Sequence, residues 1–297
     1  INKCKPDLLH CTSNTAPLRI QVPLILTLHD IIFLENRQGS SKSLYQNMGR
    51  CYRRLVVPRI LPKCRKIITV SHFECNRIRE TLHLPENKIM AIYNGFSNHF
   101  QPLDNIETVI QKYIPVTGYL FFLGNTDPKK NTPRTLKAYY SYLQQSKEKR
   151  PLLIADLKPE FVDEMLKETG LENIRPYLYL LGYIPNTDLP FIYNGAFAFL
   201  YTSLRESFGI PLLEAMACGI PVITSDTSSM PEIGGEGAIL TDPTDERSIA
   251  AQLLLLEQDK EYYQKQSAYG LERAKCFSWE QTACELLKLY QSTVKSK

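Results

Sequence analysis

Nine short runs of apolar, β-branched and aromatic residues alternate along this 297-residue chain with stretches of helical period, and that alternation restricts its fold more than any other feature. A strand that is apolar along its whole length is buried on both faces, and strands separated by helices pair in parallel. The pattern therefore predicts an α/β fold of doubly wound parallel sheets. The runs fall into two series. "DLLHCT", "VPLILTLH", "KIITVS" and "KIMAIYN" form the first, with helices around residues 42–60 and 72–82. "GYLFFLG", "PLLIAD", "YLYLLGY", "FAFLYTS" and "IPVITSD" form the second, with helices near 132–146, 159–169, 187–194, 211–218 and 244–257. Between them "NGFSNHFQPLDNIETV" is polar, has no sustained period and reads as a linker. The expected domains are residues 1–100 and 101–276, followed by a helix over 277–297 that is N-capped by Ser278, carries Trp279 as a packing anchor, and can pack back on the first domain. Ligands belong at the carboxyl ends of the strands, where the two domains face a cleft. The first series is short: the chain has no initiating methionine and opens almost directly on a strand, so the first βαβ portion of the N-terminal domain is expected to be absent.

Composition sets the outer limits. With 43% hydrophobic and 22% charged residues the chain can bury a large core, and no run approaches the ~20 apolar residues of a membrane span. Its start lacks the basic region, apolar stretch and cleavage site of a signal peptide, which makes the cytoplasm the expected compartment. The eight cysteines include no Cys-x-x-Cys pair and are expected to be reduced, without disulfides or a zinc site. Charge is unevenly spread. Residues 41–80 hold ten Lys/Arg, Lys42 among them, against Glu74 and Glu80, a local excess of +8. Within it "SLYQNMGRCYRRLVVPRILPKCRK" mixes arginines with Leu44, Tyr45, Leu55, Val56 and Ile60. That composition suits a helix lying on an anionic membrane surface, and equally a solvated helix with its apolar face in the core; Pro58 and Pro62 are expected to cut it short. Nucleic-acid binding fits worse, because the patch has no interleaved stacking aromatics.

Chemistry concentrates in "RESFGIPLLEAMACGIPVITSD", residues 205–226, where Glu206 and Glu214 are separated by seven residues across a tight turn. "FAFLYTS" ends a strand, Pro211 suits the first turn of a helix and Gly219 its C-terminal stop. The amides of Ser207, Phe208, Gly209 and Ile210 then gather at a helix N-terminus, which favours an anion. Carboxylates repel phosphate but accept hydrogen bonds from vicinal hydroxyls through both oxygens. The spacing therefore suits sugar hydroxyls at Glu206, ribose hydroxyls at Glu214 and a diphosphate between them. Spacing alone also allows a surface glutamate and a helix glutamate beside a turn. A second cluster lies in "GYLFFLGNTDPKKNTPRTL", where Lys129, Lys130 and Arg134 collect around a helix start with Thr132 as N-cap, an arrangement that implies a polyanion or a set of solvated cations.

The stretch "RESFGIPLLEAMACGIPVITSDTSSMPEI" resembles the donor-binding signature of family 4 retaining glycosyltransferases, formerly the group 1 glycosyltransferases. The resemblance extends to "FFLGNTDPKKN", "LLGYIPNTDLPFIYNGA", "IITVSHFECNRI" and "IYNG". It implies two Rossmann-like domains in the B-type glycosyltransferase fold, a nucleotide diphosphate sugar as co-substrate held mainly by the C-terminal domain, no other cofactor, and no catalytic metal; the sequence has no Asp-x-Asp. By the same resemblance Lys130 neutralises the departing diphosphate, Glu206 positions the sugar, and His29, at the end of "LILTLHD", lies beside it. Asn125 stands where the family often has Arg, and the base is expected against backbone near Tyr183 and Ile184. Asp30 either joins His29 or caps the next segment, and "HCTSNTAPL" can line the acceptor side. The expected reaction is sugar transfer to a saccharide or lipid-linked acceptor in cell-surface polysaccharide or glycolipid synthesis, peripheral to the inner face of the membrane. A nucleotide-sugar epimerase and a catalytically weak sugar-nucleotide-binding partner subunit are the alternatives.

Overall fold

Strands that are apolar on both faces have to be covered on both faces, and the computed structural model covers them with helices. It describes Cys4 and residues 6–35 and 44–295. The chain divides into one unit of Ile1–Gly95 with Ser278–Lys297 and another of Phe96–Phe277. The first unit starts with β1 (Leu9–Cys11), β2 (Leu24–Thr27), α1 (Leu44–Ile60), β3 (Lys66–Thr69), α2 (His72–Thr81) and β4 (Ile89–Ala91). The second runs α3 (Glu107–Ile110), β5 (Tyr119–Leu123), α4 (Thr132–Gln145), β6 (Leu152–Ala155), α5 (Pro159–Thr169), β7 (Leu178–Leu180), α6 (Leu189–Gly195) and β8 (Ala196–Tyr201). It continues through α7 (Ile210–Ala217), β9 (Val222–Ser225), α8 (Met230–Gly234), β10 (Ile239–Thr241), α9 (Glu246–Gln258) and α10 (Lys260–Ala274). Helix α11 (Trp279–Lys295) belongs to the first unit.

In the first unit four parallel strands follow chain order, β1-β2-β3-β4. Leu24, Leu26 and Ile67 face a core completed by Val57 and Ile60 of α1 and Ile78 of α2. On the other face Ile25, Ile68 and Ile92 pack against Leu289 of α11. Helix α11 is tied down at both ends of this face: Thr282 Oγ1 donates to the Tyr93 carbonyl at 2.6 Å, and Tyr290 Oη lies 2.6 Å from His10 Nδ1. Ser278 Oγ accepts from the Gln281 amide at 3.1 Å, as an N-cap should. Trp279 is not the packing anchor expected of it. Its side chain is 47% exposed, and what fits tightly is its backbone, against Gly95.

Helix α1 also differs from expectation. It runs 17 residues through Pro58, which falls in the last turn, while Pro62 sits in the following 3-10 turn Leu61–Lys63. A proline that late forfeits a single hydrogen bond without ending the helix. Lys42 lies outside the described residues, as do the side chains of Leu44 and Tyr45. Val56 and Ile60 are in the core, whereas Leu55 is exposed, so the apolar residues of this segment divide between two faces.

The second unit is a six-stranded parallel sheet ordered β7-β6-β5-β8-β9-β10. One face carries Leu120, Phe122, Leu200 and Ile223 under Leu136 and Tyr139 of α4 and Leu253 of α9. The other holds an aromatic cluster in which the Tyr193 ring stands edge-on to Phe121 and Phe199, each with ring centroids 5.2 Å away. Four elements were not anticipated: α3, α8, β10 and α10. The first three are only three to five residues long. The fourth buries only Gly270 and Ala274, small residues that leave no apolar period to read. All eight cysteines are free.

Gly95 has no room for a side chain, because an added Cβ would collide with the backbone of Ser278 and Trp279. Gly95→Ala should lower stability by about 1–3 kcal/mol, read as a lower thermal midpoint. Gly182→Ala, with nothing within 4 Å of its Cβ, should leave that midpoint unchanged.

Candidate active site

In the six-stranded sheet the chain winds outward in one direction from β5 to β7 and in the other from β8 to β10. The loops that leave the carboxyl ends of β5 and β8 therefore turn to opposite sides of the sheet and open a crevice between them, the topological switch point at which such sheets bind ligands. Lys130 and Glu206 lie on those two loops.

The loops are laced together. The Leu204 amide donates to the Lys129 carbonyl at 2.7 Å. Asn131 Nδ2 donates to the carbonyls of Thr202 at 3.0 Å and Pro243 at 2.7 Å, and the hydroxyls of Thr135 and Thr202 meet at 2.6 Å. Asn131 is buried and left-handed at φ 61°, a conformation asparagine tolerates better than most residues, and it is the residue that precedes α4. Thr132, expected as the N-cap, is instead the first helical residue. Its hydroxyl donates to the Asn125 carbonyl at 2.6 Å and closes the loop. Asn125 is exposed, with its Oδ1 accepting from the Asp127 amide at 2.8 Å, so its side-chain NH2 is the part able to donate to a phosphate.

These constraints bring Lys130 Nζ to 2.5 Å from Glu206 Oε1, with both side chains largely shielded, at 25% and 13% exposure. The ammonium also lies 5.4 Å from the centre of the Tyr201 ring. Tyr201, at the end of β8, is buried, and its phenol is pushed far up by burial and then by the carboxylates of Glu206 and Glu214. Ser228 and Ser229, after β9, hold the Glu206 backbone: the hydroxyl of Ser229 donates to its carbonyl at 3.0 Å, and that of Ser228 accepts from its amide at 3.0 Å. Arg205 Nη1 reaches both the Glu206 carbonyl and Ser228 Oγ.

Helix α7 starts after Gly209, whose φ of 103° excludes a side chain and whose added Cβ would press on Met230. The turn Ser207–Ile210 thus brings its chain onto the start of a helix whose first amide, that of Ile210, has no preceding helical turn to donate to. At the other end Gly219, at φ 78°, closes a Schellman motif: its amide donates to Met216 O and the amide of Ile220 to Ala215 O. Glu214 lies just over one turn in. Tyr193 Oη donates to its Oε2 at 3.4 Å, yet burial outweighs that bond and raises the carboxyl to about 7. After β7, Tyr183 is 80% exposed and Ile184 is buried, while the Gly182 carbonyl accepts from the Asp156 amide at 3.3 Å.

His29 belongs to the first unit and follows the carboxyl end of β2. Its Nε2 donates to the Thr12 carbonyl at 2.9 Å, which leaves Nδ1 as the other polar atom of the ring. Asp30 Oδ1 accepts from the Ile32 amide at 3.0 Å, at the start of the short helix Ile32–Leu34, whose N-cap position is Ile31. The structure thus gathers Lys130, Glu206 and Glu214 around Tyr201. Asn125, Ser207, Phe208, Gly209, Ile210, Tyr183 and Ile184 lie on loops or a helix start at the carboxyl edge of the same sheet. Sequence reasoning missed Tyr201, Tyr193, Asn131, Ser228 and Ser229. The hydroxyl-rich "SDTSS" after a strand was the available signal for the serines; nothing marks the tyrosines apart from other core aromatics.

A doubly wound parallel sheet with a cation and two carboxylates at its switch point has the form of a ligand-binding crevice. Residues 114–273 match the family described as glycosyl transferases group 1, and residues 1–98 match glycosyltransferase family 4. The O-antigen chain mannosyltransferase B of Escherichia coli is 33% identical over 271 residues, covering 90% of this chain and 70% of that protein. A sucrose-phosphate synthase from Thermosynechococcus elongatus superimposes with a TM-score of 0.76 at 19% identity, over 98% of this chain and 74% of that one. Anabaena HepE, in complex with UDP and glucose, gives 0.73 at 18% identity, over 91% and 72%. The chain belongs to glycosyltransferase family 4 and has the B-type glycosyltransferase fold. It is a glycosyltransferase, whose reaction moves a sugar from a nucleotide diphosphate sugar to an acceptor hydroxyl with retention.

The raised carboxyl of Glu214 has a consequence for stability. Its ordinary value is 4.5 and its folded value about 7, so between these the folded protein holds a proton that the unfolded chain has lost. Stability therefore falls as pH rises through that window. Glu214→Gln should be more stable than the parent at pH 8, by something on the order of 3 kcal/mol, and equal to it at pH 4.5; thermal unfolding at both pH values reads the difference.

Proposed function

We propose that this chain transfers mannose to a growing bacterial cell-surface polysaccharide, with its acceptor a saccharide carried on a lipid at the inner face of the membrane. The sugar is suggested by the 33% identity to an O-antigen chain mannosyltransferase. The observation that carries the site assignment is the Lys130–Glu206 pair at the switch point, 2.5 Å apart. A free carboxylate or ammonium in so shielded a place would be costly, and here each charge is satisfied by the other. Donor binding replaces both halves at once: sugar hydroxyls take the Glu206 carboxylate and phosphate oxygens take Lys130. As the bond from the anomeric carbon to phosphate breaks, negative charge grows on the departing oxygen. Lys130 and the amides at the start of α7 are placed to stabilise it. No protein nucleophile is invoked; the leaving phosphate accepts the proton of the acceptor hydroxyl. Glu206 orients the sugar and favours positive charge on its ring, Glu214 takes the ribose hydroxyls, and backbone near Tyr183 and Ile184 takes the base.

Glu206→Gln and Lys130→Ala should each lower turnover roughly 10²–10³-fold, measured as acceptor-dependent sugar transfer. Near-normal turnover of either variant would remove that residue from the mechanism. A thermal-shift panel of UDP- and GDP-linked glucose and mannose names the donor. A ligand at about 100 times its dissociation constant adds about 2.7 kcal/mol. The expected outcome is a shift with one mannose-bearing nucleotide that does not need magnesium; a preference for a glucose-bearing one would overturn the sugar assignment.

A further inference from the structure

The parallel ladder between β8 and β9 ends where Tyr201 faces Thr224. Beyond it, side-chain hydroxyls take over from the backbone. Thr224 Oγ1 donates to the Tyr201 carbonyl at 2.8 Å and Ser225 Oγ to that of Ser203 at 2.5 Å. Ser229 Oγ donates to the carbonyls of Glu206 at 3.0 Å and Phe208 at 3.3 Å. The run "TSDTSS" thus lies along the loop "YTSLRESF" and binds its carbonyls in chain order.

Ser228 departs from this pattern in two ways. A hydroxyl has one proton and two lone pairs, and here all three are used on Glu206 and its neighbour. Ser228 Oγ donates to the Glu206 carbonyl at 2.5 Å, accepts from the Glu206 amide at 3.0 Å, and accepts from Arg205 Nη1 at 3.1 Å. Arg205 Nη1 donates to the same Glu206 carbonyl at 2.9 Å. Ser228 is also left-handed, at φ 64°. A residue other than glycine persists there only where its surroundings over-determine it, and such residues cluster at functional sites.

These bonds converge on the loop residue whose side chain meets Lys130 at 2.5 Å. With amide and carbonyl of Glu206 both held, neither peptide plane beside its Cα can turn, and the side chain leaves a backbone of fixed direction. Tying down a loop needs one such bond. Three donors on one carbonyl, with the adjoining amide held by one of the same side chains, exceed that need.

We propose that Ser228 is a positioning residue for sugar transfer: through the Glu206 backbone it sets the direction of the Glu206 carboxylate against the donor sugar, and its left-handed conformation lets one hydroxyl reach both groups. This rests on the role proposed above for Glu206. Misplacing a reacting group by about 1 Å can cost roughly 10²-fold in rate, so the effect falls on turnover rather than on folding or nucleotide affinity.

The test uses Ser228→Gly and Ser228→Ala, both without the hydroxyl. Glycine is relaxed in the left-handed region and alanine is not, so the glycine variant should have the higher thermal midpoint of the two. Turnover is read as nucleoside diphosphate released from the UDP- or GDP-linked sugar that shifts the parent, with a mannose oligosaccharide as acceptor. Both variants should lose kcat alike, by roughly 10–100-fold, with KM for the donor little changed. The thermal shift given by UDP or GDP alone should match the parent's. Thr227→Ala, which removes the neighbouring hydroxyl 3.5 Å from the Leu204 carbonyl, should keep parental turnover. Combined with Glu206→Gln, Ser228→Gly should cost little more, because the carboxylate it directs is gone. Parental kcat in Ser228→Gly beside an impaired Glu206→Gln would overturn the positioning role and leave the mechanism standing. The same holds for turnover that follows the thermal midpoints of the two variants, or for losses that add in full in the double variant. Near-normal turnover of Glu206→Gln would overturn the mechanism and this role with it.

Discussion

Everything at the proposed donor site depends on one constraint, the reversal of strand order between β5 and β8. Parallel strands joined by right-handed crossovers can extend a sheet in both directions only if two neighbouring strands send their following helices to opposite faces. Between those departures the sheet's carboxyl edge is left uncovered by chain. The loops on either side of that opening carry Lys130 and Glu206, and Asn131 stitches them with donations to Thr202 and Pro243. A left-handed asparagine does this because its short amide can reach two carbonyls from a conformation most side chains avoid.

The charges placed there face a conflict built into a nucleotide sugar, which presents hydroxyls that favour acceptors next to phosphates that repel them. The proposed site separates the two demands along a few residues of chain. Glu206 stands before the turn and Glu214 a helical turn after it, with backbone amides between. The carboxylates are not equivalent. Glu206 is paired with Lys130, whereas Glu214 accepts from a neutral phenol and is raised to about 7. Burial of Glu214, which suits the ribose pocket proposed for it, thus costs stability at neutral pH and above, a trade common to binding sites.

Much of this was legible in the linear sequence, because the signals are local. Nine of the ten strands among the described residues read as apolar runs, since a strand buried on both faces has to be apolar along its length. Glu206, Lys130 and Glu214 were legible because turn residues, a helix-starting proline and a helix-ending glycine fix their surroundings within a few positions. The misses have physical causes. Helix α10 buries small residues and shows no period, and Pro58 was read as a breaker although the last turn of a helix tolerates it. The two faces of α1 could not be told apart either, because Val56 and Leu55 are neighbours in sequence and only packing sends one inward.

Sequence by itself determined the α/β class, the division of its strands into two series, and the charged residue types at the strand ends and helix starts, all consequences of hydrophobic period and turn chemistry acting over short distances. Tertiary structure alone decided which loops lie together. That Lys130 closes on Glu206, that Ser228 and Ser229 steady the Glu206 backbone, and that Tyr201 and Tyr193 stand by the two carboxylates all follow from strand order. Strand order is set by how crossovers pack on a twisted sheet, a global choice that no short stretch of sequence encodes.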